Sequence, residues 1–377
     1  MRLLDPSLVE HPYPEYARWR SDQPVWWAED VQGWVLSRHD DVRAVLKQSE
    51  AFSSAAMGGQ VPLPLLCDDP PRHTQLRKLV DRAFTTRRLR DLEAEVDLLA
   101  RDLVDAIPAG EPVDIVRALT QPLPVAVIAR MMGIPVERAA DFKRWSDALT
   151  STVADATPES RQRDIAEMAA YFHALIGERR ARPGADLVSA VVNAEVDGAH
   201  LADQDIVGFN MLLLIAGNET TTNLLGNMLN TLVDRPQVYA RLVREPELIP
   251  AAVDEALRFD SPVQFLRRTL TQPATFHGQP MAVGDTVTVL TGSANRDEQV
   301  YTNADVYDID RQKVNHHSFG FGIHFCIGAP LARLEAQCAI RHLVHRFPHL
   351  TRGTGRNERI GSFLLRGFHH LWLELGG

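Results

Sequence analysis

The sequence predicts a mainly α protein with a small β region, folded as one domain over residues 1–377. Three observations carry that prediction. Leu, Val and Ala recur three and four residues apart from Pro70 to about Arg180, the spacing of amphipathic helices. A second, unusually long helical pattern runs from Asp203 to Asp234. Strand signals cluster near Arg268–Leu290 and again near Ile360–Leu375, so a small sheet has to be drawn from distant segments. No repeat, low-complexity run or Gly/Ser linker divides the chain.

Composition narrows the function classes. With 377 residues, 45% hydrophobic and 24% charged, the chain is a globular average and long enough for a sizeable core. Three cysteines, Cys67, Cys326 and Cys338, are too few and oddly numbered for a disulfide framework and point to a reducing, cytoplasmic setting. A net charge of −9 argues against nucleic acid as a partner. The first residues carry charges and prolines throughout, and the longest apolar stretch, Met211 to Gly217, is too short for a bilayer, so no membrane association is expected.

Taken in order, Pro24–Ala28 and Gly33–Ser37 are short Val/Trp-rich runs separated by turn formers, a hairpin pattern. Phe52–Leu66 contains Gly58, Gly59, Pro62 and Pro64 and is expected to be a mobile loop. Pro108, Pro122, Pro135, Pro158 and Pro183 cut the following helical pattern into separate helices. The long pattern ends at Pro236, and a shorter helix follows through Glu255 and Arg258. Strands around His277-Gly278 and Gly284-Asp285 turns come next, then a Gly-rich loop at Ser318–Gly328 and a last helix, Pro330–Arg346.

That loop, Phe319-Gly320-Phe321-Gly322-Ile323-His324-Phe325-Cys326-Ile327-Gly328, is the sharpest feature of the chain. Its glycines let a backbone lie flat against something bulky, and Pro330 suits the first turn of a helix. A sulfur near a helix N-terminus is favoured as thiolate, the form an axial ligand of haem iron takes. A dinucleotide loop is the weaker reading, because Lys313–Ser318 is no apolar strand and Phe325 stands where a third glycine belongs. Cys67 has the features of an ordinary small buried side chain. Cys338, His342 and His345 share a helix face at spacings zinc uses, but no fourth ligand is near.

The pattern Phe319-x-x-Gly322-x-His324-x-Cys326-x-Gly328 resembles the haem-binding signature of the cytochrome P-450 family, soluble bacterial type. The resemblance implies that the fold sandwiches haem b between the long central helix and the cysteine loop. It implies Cys326 as the iron's thiolate ligand, Phe319, Gly320 and Gly328 as the loop around it, and His324 as a propionate partner. Asp69-Pro70-Pro71-Arg72-His73-Thr74-Gln75-Leu76-Arg77 resembles the segment in which His73 and Arg77, four apart on one helical face, meet propionates. Arg268 is implied at the other propionate, with Arg267 as the alternative.

Ala216-Gly217-Asn218-Glu219-Thr220-Thr221 resembles the family's oxygen-binding segment. A helix-interior glycine costs about 1 kcal/mol, and Gly217 beside Ala216 would let the cofactor and dioxygen come close. The Thr220 hydroxyl can bond the carbonyl one turn back and loosen the helix, and Glu219 with Thr220 forms an acid and alcohol pair for delivering protons. Glu255-Ala256-Leu257-Arg258 matches the E-x-x-R motif, implying a buried structural ion pair. The family's further arginine is replaced by Val306, with Arg311 as a substitute. By family position, Leu212, Ile215, Ala216, Val263, Gln264, Phe265, Leu364 and Leu365 wall the substrate pocket, with Gln264 or Arg366 to orient a polar group.

The resemblance therefore implies a monooxygenase that activates O2 and hydroxylates or epoxidises a small to medium, largely apolar organic molecule. Electrons would come from a ferredoxin and its NAD(P)H-dependent reductase, docking on a basic face with Arg72, Arg77, Arg333 and Arg341 as candidate contacts. Two other readings are a haem-binding sensor or carrier without turnover and a peroxide-driven haem peroxygenase. Both would be indifferent to loss of the Glu219 and Thr220 pair.

Overall fold

The structure, a computed structural model, describes residues 2–55, 63–83, 86–150, 157–196 and 199–376. Of the loop expected at Phe52–Leu66, residues 56–62 lie outside them. The hairpin is Val25–Ala28 against Gly33–Leu36, antiparallel, with Trp27 opposite Trp34. Thr286–Val289 adds to Gly33–Leu36 in parallel, and Leu266–Leu270 and then Phe52–Ser53 complete a five-stranded sheet. Gly33 is the contact point of two of its strands. A Cβ there would sit 2.8 Å from the Thr286 carbonyl oxygen.

Helices Arg72–Ala83, Thr86–Asp105, Pro122–Met131, Ala139–Thr150 and Pro158–Ala181 occupy the region of 3.6-residue periodicity. Pro122 and Pro158 open their helices, where a missing N–H costs nothing, and Thr157 caps the second by accepting the Ser160 amide. Asp203–Val233, 31 residues, is the central helix. Buried nearly all round even at its Asn, Thr and Glu positions, it packs against Pro122–Met131, Pro158–Ala181, Ile249–Phe259 and Ala329–Arg346, which is why its pattern shows no single solvated face. No helix among the described residues is long and apolar enough to cross a membrane.

Several short elements escape the sequence pattern. Pro112–Asp114 pairs with the tail strand Trp372–Gly376, which also pairs with His349–Arg352, and a π-helical turn spans Val116–Thr120. The strand is too short to show alternation, and the wider turn has no periodic signature of its own.

Candidate active site

The site is built where the cysteine loop faces the middle of the central helix. Gly320 and Gly322 adopt φ of +71° and +74°, a region where a side chain is strained. At Gly322 space is also closed, because a Cβ would lie 2.5 Å from the Leu46 carbonyl oxygen of helix His39–Lys47. The turn lets the Cys326 amide donate to the Phe319 carbonyl at 2.9 Å and sets the sulfur just before helix Ala329–Arg346. The Arg333 guanidinium lies 4.6 Å from the centre of the Phe319 ring.

Cys326 opens onto a cavity of about 290 Å³ whose other walls include Ala216, Gly217 and Thr220 of the central helix. Burial pushes the Cys326 thiol up. The amides of Gly328 and Ala329, with Arg77 and Arg333, pull the other way without prevailing. The helix terminus alone therefore does not give a thiolate here. A metal cation bound at the sulfur would supply the missing stabilisation.

One edge of the cavity is cationic. His73, Arg77, Arg268 and His324 all line it. The two imidazoles lie 4.2 Å apart, His324 Nε2 meets Ser54 Oγ at 3.1 Å, and Arg77 donates to the Phe325 carbonyl at 2.7 Å. Burial and then His73 and Arg268 pull His324 down to about 3. Burial also lowers His73, with Arg77 next, and brings Arg268 down to about 10. His73 is only 2% exposed, yet neither ring nitrogen has a hydrogen-bond partner. A buried imidazole with both nitrogens unpartnered, set beside two guanidinium groups, is an arrangement that fits an anion. A planar cofactor with two carboxylates on one edge, as haem b has, fits it. Arg267 instead turns outward, toward the Thr288 hydroxyl and the Val31 carbonyl.

On the opposite wall, Thr220 Oγ1 donates to the Ala216 carbonyl at 2.8 Å. Gly217 has a neighbour of its own to admit, since a Cβ there would lie 3.1 Å from Ile128 Cδ1. Glu219 does not share the cavity with Thr220. One residue is 100° of helical rotation, and this turns the carboxylate toward helix Ala139–Thr150. There Ser146 Oγ donates to it at 3.4 Å and Lys143 Nζ lies 3.7 Å away. Burial pushes Glu219 up, and Lys143 is the leading opposing charge.

Of the expected pocket wall, Leu212, Ala216 and Val263 line the cavity; Ile215, Gln264, Phe265, Leu364 and Leu365 do not. The Gln264 amide points away because its partners are elsewhere. Nε2 donates to the Ser261 carbonyl at 2.7 Å and Oε1 accepts from the Tyr16 hydroxyl at 3.2 Å, bonds a hydrocarbon cavity would not provide. Phe265 and Leu365 sit instead with Leu3 and Leu8 of the N-terminal segment, and Leu364 is 42% exposed. Arg366 is held by Asp260 at 2.6 Å and by the Val9 and Glu10 carbonyls, so it has no free donor edge for a ligand. Sequence reasoning missed Phe209 and Leu213 on the cavity wall. Both were legible as the upward continuation of the 216, 217, 220 face at helical spacing.

Glu255 and Arg258 are each 0% exposed and meet through two bonds of 2.7 and 2.8 Å. Arg311 Nε lies 3.3 Å from both carboxylate oxygens and is the third partner where Val306 cannot serve. The candidate docking cations are engaged with acids: Arg72 with Asp205, Arg77 with Asp81, Arg333 with Asp254 and Arg341 with Asp97. No group of His, Cys, Asp and Glu among the described residues is arranged to hold a metal. Cys338 is buried and His342 bonds Asp97 at 2.9 Å, so the zinc spacing assembles nothing.

Comparison with known proteins agrees with this geometry. The family model described as Cytochrome P-450 matches residues 23–366. The monooxygenase PikC of Streptomyces venezuelae is 38% identical over 373 residues, 95% of this chain and 89% of that protein. The crystal structure of CYP109E1 from Bacillus megaterium with corticosterone superposes with a TM-score of 0.89 at 38% identity, covering 97% and 99% of the two chains. A mutant of EryK from S. erythraea with erythromycin B gives 0.91 at 36%, covering 100% and 98%.

Proposed function

The chain belongs to the cytochrome P-450 family, and from that premise we propose that it hydroxylates or epoxidises a small to medium, largely apolar and uncharged organic substrate with electrons from a ferredoxin. As a family member it is a haem b monooxygenase. The bound haem supplies the redox chemistry that activates dioxygen. The chain's residues do the rest. Cys326 ligates the iron, with the Gly328 and Ala329 amides directed at its sulfur. His73, Arg77, Arg268 and His324 hold the carboxylate edge through charge-assisted bonds. Thr220 donates to the Ala216 carbonyl one turn back and lies on the cavity wall. Of the expected acid and alcohol pair only Thr220 reaches the cavity and is placed to pass a proton there; Glu219, turned toward Ser146 and Lys143, takes no part in that step.

The observation that carries this reading is the convergence of Cys326, the cationic edge and Thr220 on one cavity. Away from that edge the wall is hydrocarbon, with Leu65, Phe209, Leu212, Leu213 and Val263, which suits a substrate without charge at its reacting end. Relatives crystallised with corticosterone and erythromycin B fit a bulky lipophilic molecule. The test is turnover of the haem-loaded protein with a ferredoxin, its reductase and a panel of neutral lipophiles under isotopically labelled dioxygen. One labelled oxygen atom in product supports the proposal. Label only in water or peroxide for every compound, or equal product from peroxide with no ferredoxin, would overturn it.

A further inference from the structure

The proposed function leaves Arg72 unused, although it belongs to the motif that carries His73. Its guanidinium bonds two carboxylates. Nε lies 3.0 Å from Asp68 in the preceding turn, and Nη2 lies 2.7 Å from Asp205 in the first turn of the central helix. The same Asp68 carboxylate accepts the Leu65 amide at 2.7 Å. Leu65 is held at φ +75°, a conformation a leucine does not adopt unless its surroundings impose it, and its side chain is buried in the cavity wall. Phe209, one helical turn below Asp205, lines the same cavity. A continuous set of polar contacts therefore runs from the strained wall residue through Asp68 and Arg72 to the central helix.

We propose that Arg72 and Asp205 form an electrostatic latch that holds Leu65 and its turn over the distal cavity and sets how fast ligands pass in and out. The turn at 63–71 belongs to neither a helix nor the sheet; Asp69 ties it to Ser53 and the Ser54 amide on one side, and the Arg72 contacts tie it to the central helix on the other. The latch is weak by construction. Arg72 and Asp205 side chains are 51% and 28% exposed, and half-exposed pairs are readily loosened by water and salt. Breaking the pair leaves Asp68 on the Leu65 amide but uncouples the turn from the central helix, so the wall opens more readily without altering the groups that hold a bound ligand. This rests on the reading of the cavity as the substrate chamber.

The test is stopped-flow binding of 4-phenylimidazole to the haem-loaded protein, read from the Soret band, in Asp205→Asn, Arg72→Gln, the double variant and Arg352→Gln. The last breaks the exposed Arg352–Asp234 pair (2.7 Å) at the far end of the same helix and is the control. Association and dissociation rates should both rise about two- to fivefold in the first two variants, the scale of one exposed ion pair, with Kd changed less than about twofold. The double variant should match the singles, and wild type should converge on them in high salt. Rates equal to wild type, an effect as large in Arg352→Gln, or a change in Kd alone would overturn the latch. Absence of any spectral change in wild type would overturn the chamber reading and the latch with it.

Discussion

Replacing Glu255 with glutamine tests the buried ion-pair cluster behind the site. The carboxylate is 0% exposed and receives Arg258 Nε and Nη2, Arg311 Nε and the Asp308 amide. Glutamine keeps the shape but removes the charge, and it turns an N–H2 toward a guanidinium that also donates. Arg258, itself 0% exposed, is then a buried cation without a counter-ion, a change that costs about 3–5 kcal/mol out of a total stability of about 5–15 kcal/mol. Deleting both charges is no remedy here. Arg258 also serves the carbonyls of Asn295, Ala304 and Val306, and each acceptor left bare costs about 1–3 kcal/mol. Urea unfolding of the haem-loaded protein, followed in parallel by far-ultraviolet circular dichroism and the Soret band, should show the full loss in Glu255→Gln and no recovery in Glu255→Leu/Arg258→Leu. A loss below about 1 kcal/mol, or a double variant as stable as wild type, would refute the reasoning.

Thr220→Ala removes the cavity hydroxyl that donates to the Ala216 carbonyl; product formed per NAD(P)H should fall about a hundredfold, the lower range for a positioned proton donor, with peroxide in its place. Unchanged coupling would contradict the role given to Thr220. Arg268→Leu removes a buried cation from the edge of the cavity, so haem transfer to apomyoglobin should speed up about 10- to 100-fold, matching one charged hydrogen bond. Equal haem-loss rates would count against the cationic edge. Glu335 is fully buried with one unpartnered oxygen, and burial raises it well above its ordinary value of 4.5. Above that pH the unfolded chain gives up this proton and the folded one keeps it, so stability falls as pH rises until the folded value is passed. Glu335→Gln should therefore gain on wild type by up to about 1.4 kcal/mol per pH unit above 4.5 in urea midpoints, whereas a pH-independent difference would show the carboxyl to be ionised or exposed.

Much of this molecule is legible in the sequence because local physics dictates it. Prolines mark helix starts, the apolar run of the central helix announces burial on all sides, and a cysteine among left-handed glycines announces a loop pressed against something flat. Orientation is harder to read. Glu219 and Thr220 are adjacent in sequence and 100° apart on the helix, but which of the two meets the cavity and which meets Ala139–Thr150 is decided by how the helices pack. Gln264 carries no mark that Tyr16, distant in sequence, will claim its amide. Arg72 has the look of a solvent-facing docking cation until Asp205 is brought beside it. Each of these outcomes depends on a contact between segments far apart in the chain, and a pattern of spacing holds no record of it.

The central claim is that Cys326 binds haem iron as a thiolate in the cavity between the cysteine loop and the central helix. The direct measurement is the carbon monoxide difference spectrum of the dithionite-reduced, haem-loaded protein, taken on wild type and Cys326→Ala. A strongly red-shifted Soret band in wild type, absent in the variant, is the predicted result. A wild-type band at the shorter wavelength of histidine ligation, or a red-shifted band that survives loss of Cys326, would contradict it.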